Sequence, residues 1–469
     1  MKPCMDIGSR REVFFDDTML DTERTTTVFR LHEPVQRECV LINDEPWHAG
    51  GAVPYHQVLM DGDVYRMYSR CDSEGLGSVS YAESRDGIHW EKPALGIAEF
   101  HGSKENNLLF GDAAFDGFRV FIDENPACPP EERYKALADC GQPARLYLYC
   151  GPDGIHFRPM GEVKMKGIFD SVNTMLWNPE TGTYQAFIRA YHPAGDPSNP
   201  VWTRDIRFAE SETLFPKGGW QEPKPIFYSD MTDWHMYINS VMKYHRAPQV
   251  YIGFPSRYVQ RQKWTDNYDE LCGVEARRER FVTKDPRTAL AVSDTLFMTS
   301  RDGRTWTRYP EAFLRPGPEH PTNWVYGSVY FSNGLVETPS SHPGCDRELS
   351  FYCVENRWFD RPPEVYRYSI RMDGFVSQFA PYPEASLVTR PFRFAGNELF
   401  LNFSTSAYGH LRVTLADTDG NRTTSADLFG DSTDRHVRFD RPLSDFAGKE
   451  VTMTCHMCDA DLYSFRFDK

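Results

Sequence analysis

The sequence predicts an all-β protein, a five-bladed β-propeller followed by a C-terminal β-sandwich. Three observations predict it. Helical periodicity is nearly absent along the chain. Short runs rich in Val, Tyr, Phe and Leu recur instead between Gly, Pro, Asp and Asn, as in HQVLMDGDVYRMYSR (56–70) and GSVSYAES (77–84). A turn phrase also returns, as SRDGIHW (84–90), GPDGIHF (151–157) and SRDGRTW (300–306), with starts 67 and 149 residues apart. Its chemistry suits a tight turn. The Asp carboxylate accepts from backbone N–H groups just downstream, Gly supplies positive φ, and the aromatic anchors the turn to its sheet. A unit of about 70 residues, each a small antiparallel sheet, is the pattern of a propeller.

Taken in order, the units fall near 45–95, 106–160, 168–222, 226–310 and 324–385, with the third turn phrase degenerate at RFAESETLF (207–215) and an irregular insertion at 259–290. RYKALADC with ARLYLYCG (133–140, 144–151), TMLWNPETGTYQAFIRA (174–190), QVYIGFPSRY (249–258) and ELSFYCVENRW (348–358) are the strands of the later units. From Arg390 the character changes. ELFLNFSTS, HLRVTLADTDG, RHVRFDR, KEVTMTCHM and DLYSFRF alternate apolar and polar residues at strand period, which predicts a separate sandwich. The expected domains are therefore a propeller over 1–388 and a sandwich over 389–469.

Composition limits the function classes. Fifty-two basic against 67 acidic residues leave a net charge of −15, which disfavours nucleic acid and anionic membrane surfaces as partners. No run approaches the roughly 20 apolar residues of a membrane span. MKPCMDIGSRREVFFDD has no apolar h-region, and the 11 scattered cysteines form no disulfide framework, so a reduced, cytoplasmic setting is expected. Cys455 and Cys458, in CHMC, are the one close pair, and without a second ligand pair they do not read as a zinc site. Aromatic residues make up 14% of the chain, a share that suits β-structure and surfaces that cover sugar faces.

The phrases SYAESRDGIHWEKP, NNLLF, PPEERYKAL, FDSVNTMLW and DADLYSFRF, set in this layout, resemble the glycosyl hydrolase family 32 N-terminal domain-like proteins, whose propeller is shared with families 32, 43, 68 and 117. The resemblance covers nearly the whole chain. It implies a glycosidase whose carboxylates stand at the starts of the innermost strands, converging on a central funnel, with an oligosaccharide or glycoside as substrate and no cofactor. Two motifs depart from family 32. Trp-x-Asn-Asp-Pro-Asn-Gly is absent, its nearest counterpart being INDEPWHAGG (42–51), and FDSVN (169–173) stands where a Glu-Cys pair would be.

Glycosidic cleavage needs one carboxylic acid for the leaving oxygen and a second carboxylate for the sugar or the water. Asp123, in RVFIDENP, and Asp170, in GIFDSVN, are the first assignments, with Asp44 and Glu348 behind them and one expected to be kept protonated by burial or a like charge. Substrate contacts are expected from Trp47 and His48 beside Asp44, from Asn173 and Arg189 beside Asp170, from Asp233 and His235 in TDWHMYINSV, and from Trp324 and Tyr326 in NWVYGS. Glu337 is a further acid at a strand start, and Asp86, Asp153 and Asp302 belong to turns on the periphery. No nucleotide loop, zinc-protease motif or nucleophile elbow is present, so the reading calls for no metal or cofactor. Two alternatives remain beside the hydrolase: a carbohydrate-binding propeller without turnover, and a glycoside phosphorylase hinted at by Arg189, His235 and Arg257.

Overall fold

Each hairpin phrase folds into one antiparallel sheet, and five such sheets stand around a common axis. This is seen in a computed structural model that describes residues 4–49, 55–73, 76–111, 113, 115–141, 143–193, 202–230, 232–283, 286–356 and 361–468. Blade I is built from His56–Asp61, Val64–Ser73, Leu76–Ser84 and Trp90–Glu91. Blade II comprises Phe115–Ile122, Tyr134–Cys140, Arg145–Gly151 and Arg158–Glu162, and blade III Thr174–Asn178, Thr183–Pro193, Trp202–Ser211 and Lys224–Pro225. Blade IV pairs Met242–Tyr244, Ala247–Gly253, Met298–Ser300 and Thr305–Arg308, with Phe227–Tyr228 parallel on its edge. A hairpin of Ser256–Gln260 and Ala291–Thr295 prolongs that blade. The insertion expected to be irregular carries three short helices, Asp266–Glu270, Val274–Thr283 and Pro286–Leu290.

The fifth blade needs both ends of the chain. Val336–Thr338, Glu348–Glu355 and Glu364–Arg371 supply three strands, and the fourth is Val35–Ile42, whose Ile42 pairs with Glu364 and whose Val35 pairs with Ser369. The expected block 324–385 therefore stops at 371, and the expected domain limits need correction. Met5–Gly8, Glu12–Val13 and Val28–Leu31 join the C-terminal sheet, as do Val376–Ala380 and Ala385–Val388. The physical reason is the alternation itself: these segments bury one face against the C-terminal core, which hairpin spacing cannot reveal.

The two layers of the sandwich belong to one hydrogen-bonded sheet of ten strands. Its spine is Glu398–Asp417 paired with Val451–Asp468, and the register breaks between Thr405 and His410. Leu399, Leu401 and Phe403 from one side of that break enter the same apolar cluster as Leu411, Val413 and Leu415 from the other. A straight strand of 20 residues spans roughly 66 Å, so a shared cluster requires the sheet to bend over itself. Cys455 and Cys458 are buried thiols on this spine.

The three Asp-Gly turns join the third and fourth strands of blades I, II and IV. Asp86 accepts from the backbone N–H of Ile88 and His89, Asp153 from Ile155 and His156, and Asp302 from Arg304 and Thr305. Gly154, at φ +80°, lies under Tyr68, whose hydroxyl donates to its carbonyl at 2.8 Å, so this turn of blade II seals the joint with blade I. Gly87 receives the Tyr352 hydroxyl in the same way across the joint of blades V and I.

Asp373 ties the two halves together. Fully buried at φ +57°, it accepts from Arg246 and Tyr244 of blade IV, from Arg11, and from Ser464 and Asn402 of the C-terminal sheet. The two guanidinium groups hold its carboxyl well below the usual carboxylate range despite burial. Two results follow from these contacts. Asp373→Asn leaves Arg11 and Arg246 uncompensated and is expected to cost about 3 kcal/mol or more in urea unfolding. Gly154→Ala adds to the positive-φ penalty a Cβ only 2.8 Å from the Tyr134 ring and the Tyr68 hydroxyl. It should lose clearly more stability than Gly182→Ala, where φ is +66° and nothing lies within 4 Å.

Candidate active site on the strand-entry face

All five innermost strands run the same way along the axis. The central cavity, about 550 Å³, is lined in the same order by Gln57–Met60, Arg119–Phe121, Thr174–Leu176, Val241–Lys243 and Asn333–Glu337. Gln57 closes its inner end by an amide clamp, accepting from Val120 N–H at 2.6 Å and donating to the Val120 carbonyl. The propeller thus has an entry face, where inner strands begin, and an exit face, where they end.

This direction separates the two leading acids. Asp123 follows Ile122, the last residue of its inner strand, and stands at the exit face. It is buried, with Lys135 Nζ at 3.1 Å, the Tyr184 hydroxyl donating at 2.9 Å and Asn125 N–H at 3.1 Å, which makes it a clamp between blades II and III. Asp170 precedes Thr174 and stands at the entry face, half open to solvent at 51%. An inner strand, on the order of 25 Å long, lies between them. The expected convergence of Asp123 with Asp170 is therefore not found.

The other two acids are also elsewhere. Asp44, 65% exposed, pairs with Lys92 at the outer edge, because the chain there leaves the outermost strand of blade V. Glu348 is opposite Thr338, the end of an inner strand, and is held by Arg367 at 2.8 Å and Arg37 at 3.7 Å on the exit side. Trp47 packs edge-on against Phe100, and His48 is buried on Ser80 at 3.1 Å. Among the described residues the carboxyl that burial does push upward is Glu355, at the entry end of its blade V strand, a residue the sequence reading passed over.

What the entry face does gather is centred on blade III. Asn173 is buried and shapes the loop of Asp170, its Oδ1 accepting from Arg189 N–H at 3.0 Å and its amide donating to the Phe169 and Ser171 carbonyls. Arg189, itself buried, forms the ion pair with Asp170 and donates to the Tyr191 hydroxyl. Strand alternation places Arg189 and Tyr191 on one face with Arg204, the cross-strand partner of Tyr191. Against them stand Tyr237 and Tyr258 of blade IV and Tyr326 and Tyr330 of blade V, in one cluster with Tyr55, whose hydroxyl meets that of Tyr237 at 3.0 Å. Trp324 only flanks this cluster, its indole donating to the Gly317 carbonyl.

The segment before the first blade IV strand completes the rim. Asp233 meets His192 Nε2 at 2.9 Å and accepts from Thr203, while Asp205 meets His192 Nδ1 at 3.2 Å. His235 is buried edge-on to Tyr258 at 5.5 Å, its Nδ1 accepting the Arg204 backbone N–H at 3.2 Å. His192, Arg204, Asp205 and Asp233 line a cleft of about 260 Å³ together with Tyr228, Trp234 and Arg308. Arg204, His192, Asp205, Tyr55 and Tyr258 were not singled out from the sequence. The available signal was a charged residue within the apolar strands 183–193 and 202–211.

Comparison with known proteins adds the following. No family model and no curated protein sequence matches the chain. Among solved structures, an N-acetylgalactosamine deacetylase from F. plautii is 12% identical over 73% of this chain and 96% of its own, with a TM-score of 0.41. A thermostable family-43 glycoside hydrolase is 13% identical over 70% and 92%, at 0.41. A fructofuranosidase from Schwanniomyces occidentalis is 8% identical over 95% and 99%, at 0.37. All score below 0.5, and the five-bladed assignment stands on the strand pairing itself.

Burial sets a pH dependence. Folding lowers the His235 pKa to about 4, through burial and then Arg204, and those of His48 and His56 to about 3, chiefly through burial. The unfolded chain binds these protons near 6.5 and the folded chain does not, so their stabilisation is complete above that pH and is lost as pH falls toward the folded values. The unfolding free energy from urea titration should drop between pH 6.5 and 5 by up to about 1.4 kcal/mol per pH unit per histidine, and His56→Gln should flatten the slope.

Proposed function

We propose that the chain is a glycoside hydrolase that works at the entry face, with Asp170 as the carboxylate that attacks the sugar or activates water. One observation carries this reading: Asp170 reaches solvent at the start of an inner strand while its cation, Arg189, is buried behind it. The buried guanidinium behind it holds the carboxylate outward, the placement that a base or nucleophile requires. Asp233, with His192 between it and Asp205, is the group we assign to proton delivery to the leaving oxygen. Trp234 and Tyr191, the half-buried rings of this face, supply aromatic surface for the apolar sides of sugar rings. An oligosaccharide or glycoside is the substrate class.

The failure of Asp123 and Asp170 to meet favours a second reading, a sugar-binding propeller without turnover. The two part in one experiment. Asp170→Asn is expected to lower hydrolysis of an active glycoside by at least about 10³-fold with the melting temperature within a few degrees of wild type. Sugar binding by calorimetry with no turnover of any glycoside would replace the hydrolase with the binding reading.

A further inference from the structure

We infer that the entry-face site takes a sugar that carries a single negative charge, a carboxylate or a sulfate ester, and that Arg204, with His235 beside it, holds that group. The inference rests on the carbohydrate reading of the site and names its substrate class.

Arg204 is the starting point. Its side chain is 8% exposed, its Nε has no hydrogen-bond partner, and no carboxylate lies within 4 Å of it among the described residues. Its guanidinium lies 4.6 Å from the Tyr258 ring centre, 5.2 Å from Tyr237 and 5.7 Å from Tyr191. Aromatic faces attract a cation, but they do not replace the anion that a buried guanidinium lacks. The neighbouring cation is already matched, since Arg189 shares the Tyr191 and Tyr237 rings and is paired with Asp170.

A second donor points the same way. Because the Arg204 backbone N–H donates to His235 Nδ1, the ring proton belongs on Nε2, and Nε2 is buried with no acceptor among the described residues. Burial and the adjacent Arg204 keep this ring neutral. Arg204 and His235 both lean on Tyr258. Arg204 Nη1 stands 3.5 Å from His235 Nδ1, so the unmatched donors are Arg204 Nε and His235 Nε2, and of the two residues Arg204 is the one that lines the cleft.

The surroundings favour a charge borne by a sugar. Arg204 lines the cleft with His192, Asp205, Asp233, Trp234 and Arg308. Within it Asp205 and Asp233 are bonded to His192, and Arg308 to Asp230. One cation is thus left without a carboxylate, which matches a monoanion better than the dianion of inorganic phosphate. Trp234, half-buried on the cleft, offers ring surface to the rest of the sugar.

Calorimetry on the full chain tests this, with galactose, galacturonate, galactose 6-sulfate and inorganic phosphate as probes. At least one charged sugar should bind tenfold or more tightly than galactose, Arg204→Gln should abolish that preference, and Arg204→Lys should retain a part of it. If Arg204→Gln does not fold, the wild-type preference and the Lys variant decide. No preference for either charged sugar, a preference that survives in a folded Arg204→Gln, or phosphate binding at Arg204 without a charged-sugar preference would each overturn the inference. Charged sugars bound through Arg204 with no glycoside cleaved would sustain it while removing the hydrolase. Cleavage of neutral glycosides with indifference to charge would do the reverse.

Discussion

The ring depends on a strand that comes from the wrong end of the chain. Five blades close only if the last finds a fourth strand, and Val35–Ile42 provides it by pairing with Glu364–Arg371. Backbone hydrogen bonds across that seam convert an open row of sheets into a closed one, which leaves no unprotected joint between the first blade and the last. The same constraint shapes the other domain. Having placed 35–42 in the ring, the chain uses its earlier segments, Met5–Gly8, Glu12–Val13 and Val28–Leu31, as strands of the C-terminal sheet. Asp373 then fixes the two bodies to one another, since a buried carboxylate with two guanidinium partners tolerates little displacement.

Closure gives the molecule two chemically different faces. Innermost strands that all run one way place strand starts on one side and strand ends on the other. On the exit side the carboxylates are spent on structure: Asp123 on Lys135 and Tyr184, Glu348 on Arg367. On the entry side the balance differs. Asp170 is turned outward by a buried arginine, and Arg204 is buried among tyrosines without an acid of its own. Stability alone has little use for such a guanidinium, and its place on the same two tyrosine rings as Arg189 gives the face a polarity that neutral packing would not need.

The blades, the turn chemistry and the β-rich C-terminal unit were legible because each is local. Period-two alternation, Asp-Gly turns and an aromatic three residues after the Gly act within a few residues of one another, and the three repeats mark Asp86, Asp153 and Asp302 as turn residues without reference to the rest of the fold. Of the candidate site, Asp170, Asn173, Arg189, Asp233, His235 and Tyr326 were legible as polar or aromatic residues at strand starts and ends. Their grouping on one face came from the way the blades pack.

By itself the sequence determined how many sheets form, where their turns fall and which residues are candidates for chemistry. Tertiary structure decided which acids meet. Asp123 and Asp170 look alike along the chain, each beside an apolar inner strand, yet strand direction sends one to each face. It also decided the domain limits, because a strand's partner is chosen by the face it buries and not by its neighbours in sequence. The unmatched charge of Arg204 is of the same kind: an arginine in an apolar strand says only that a charge is present, and whether an acid answers it depends on side chains brought there by other blades.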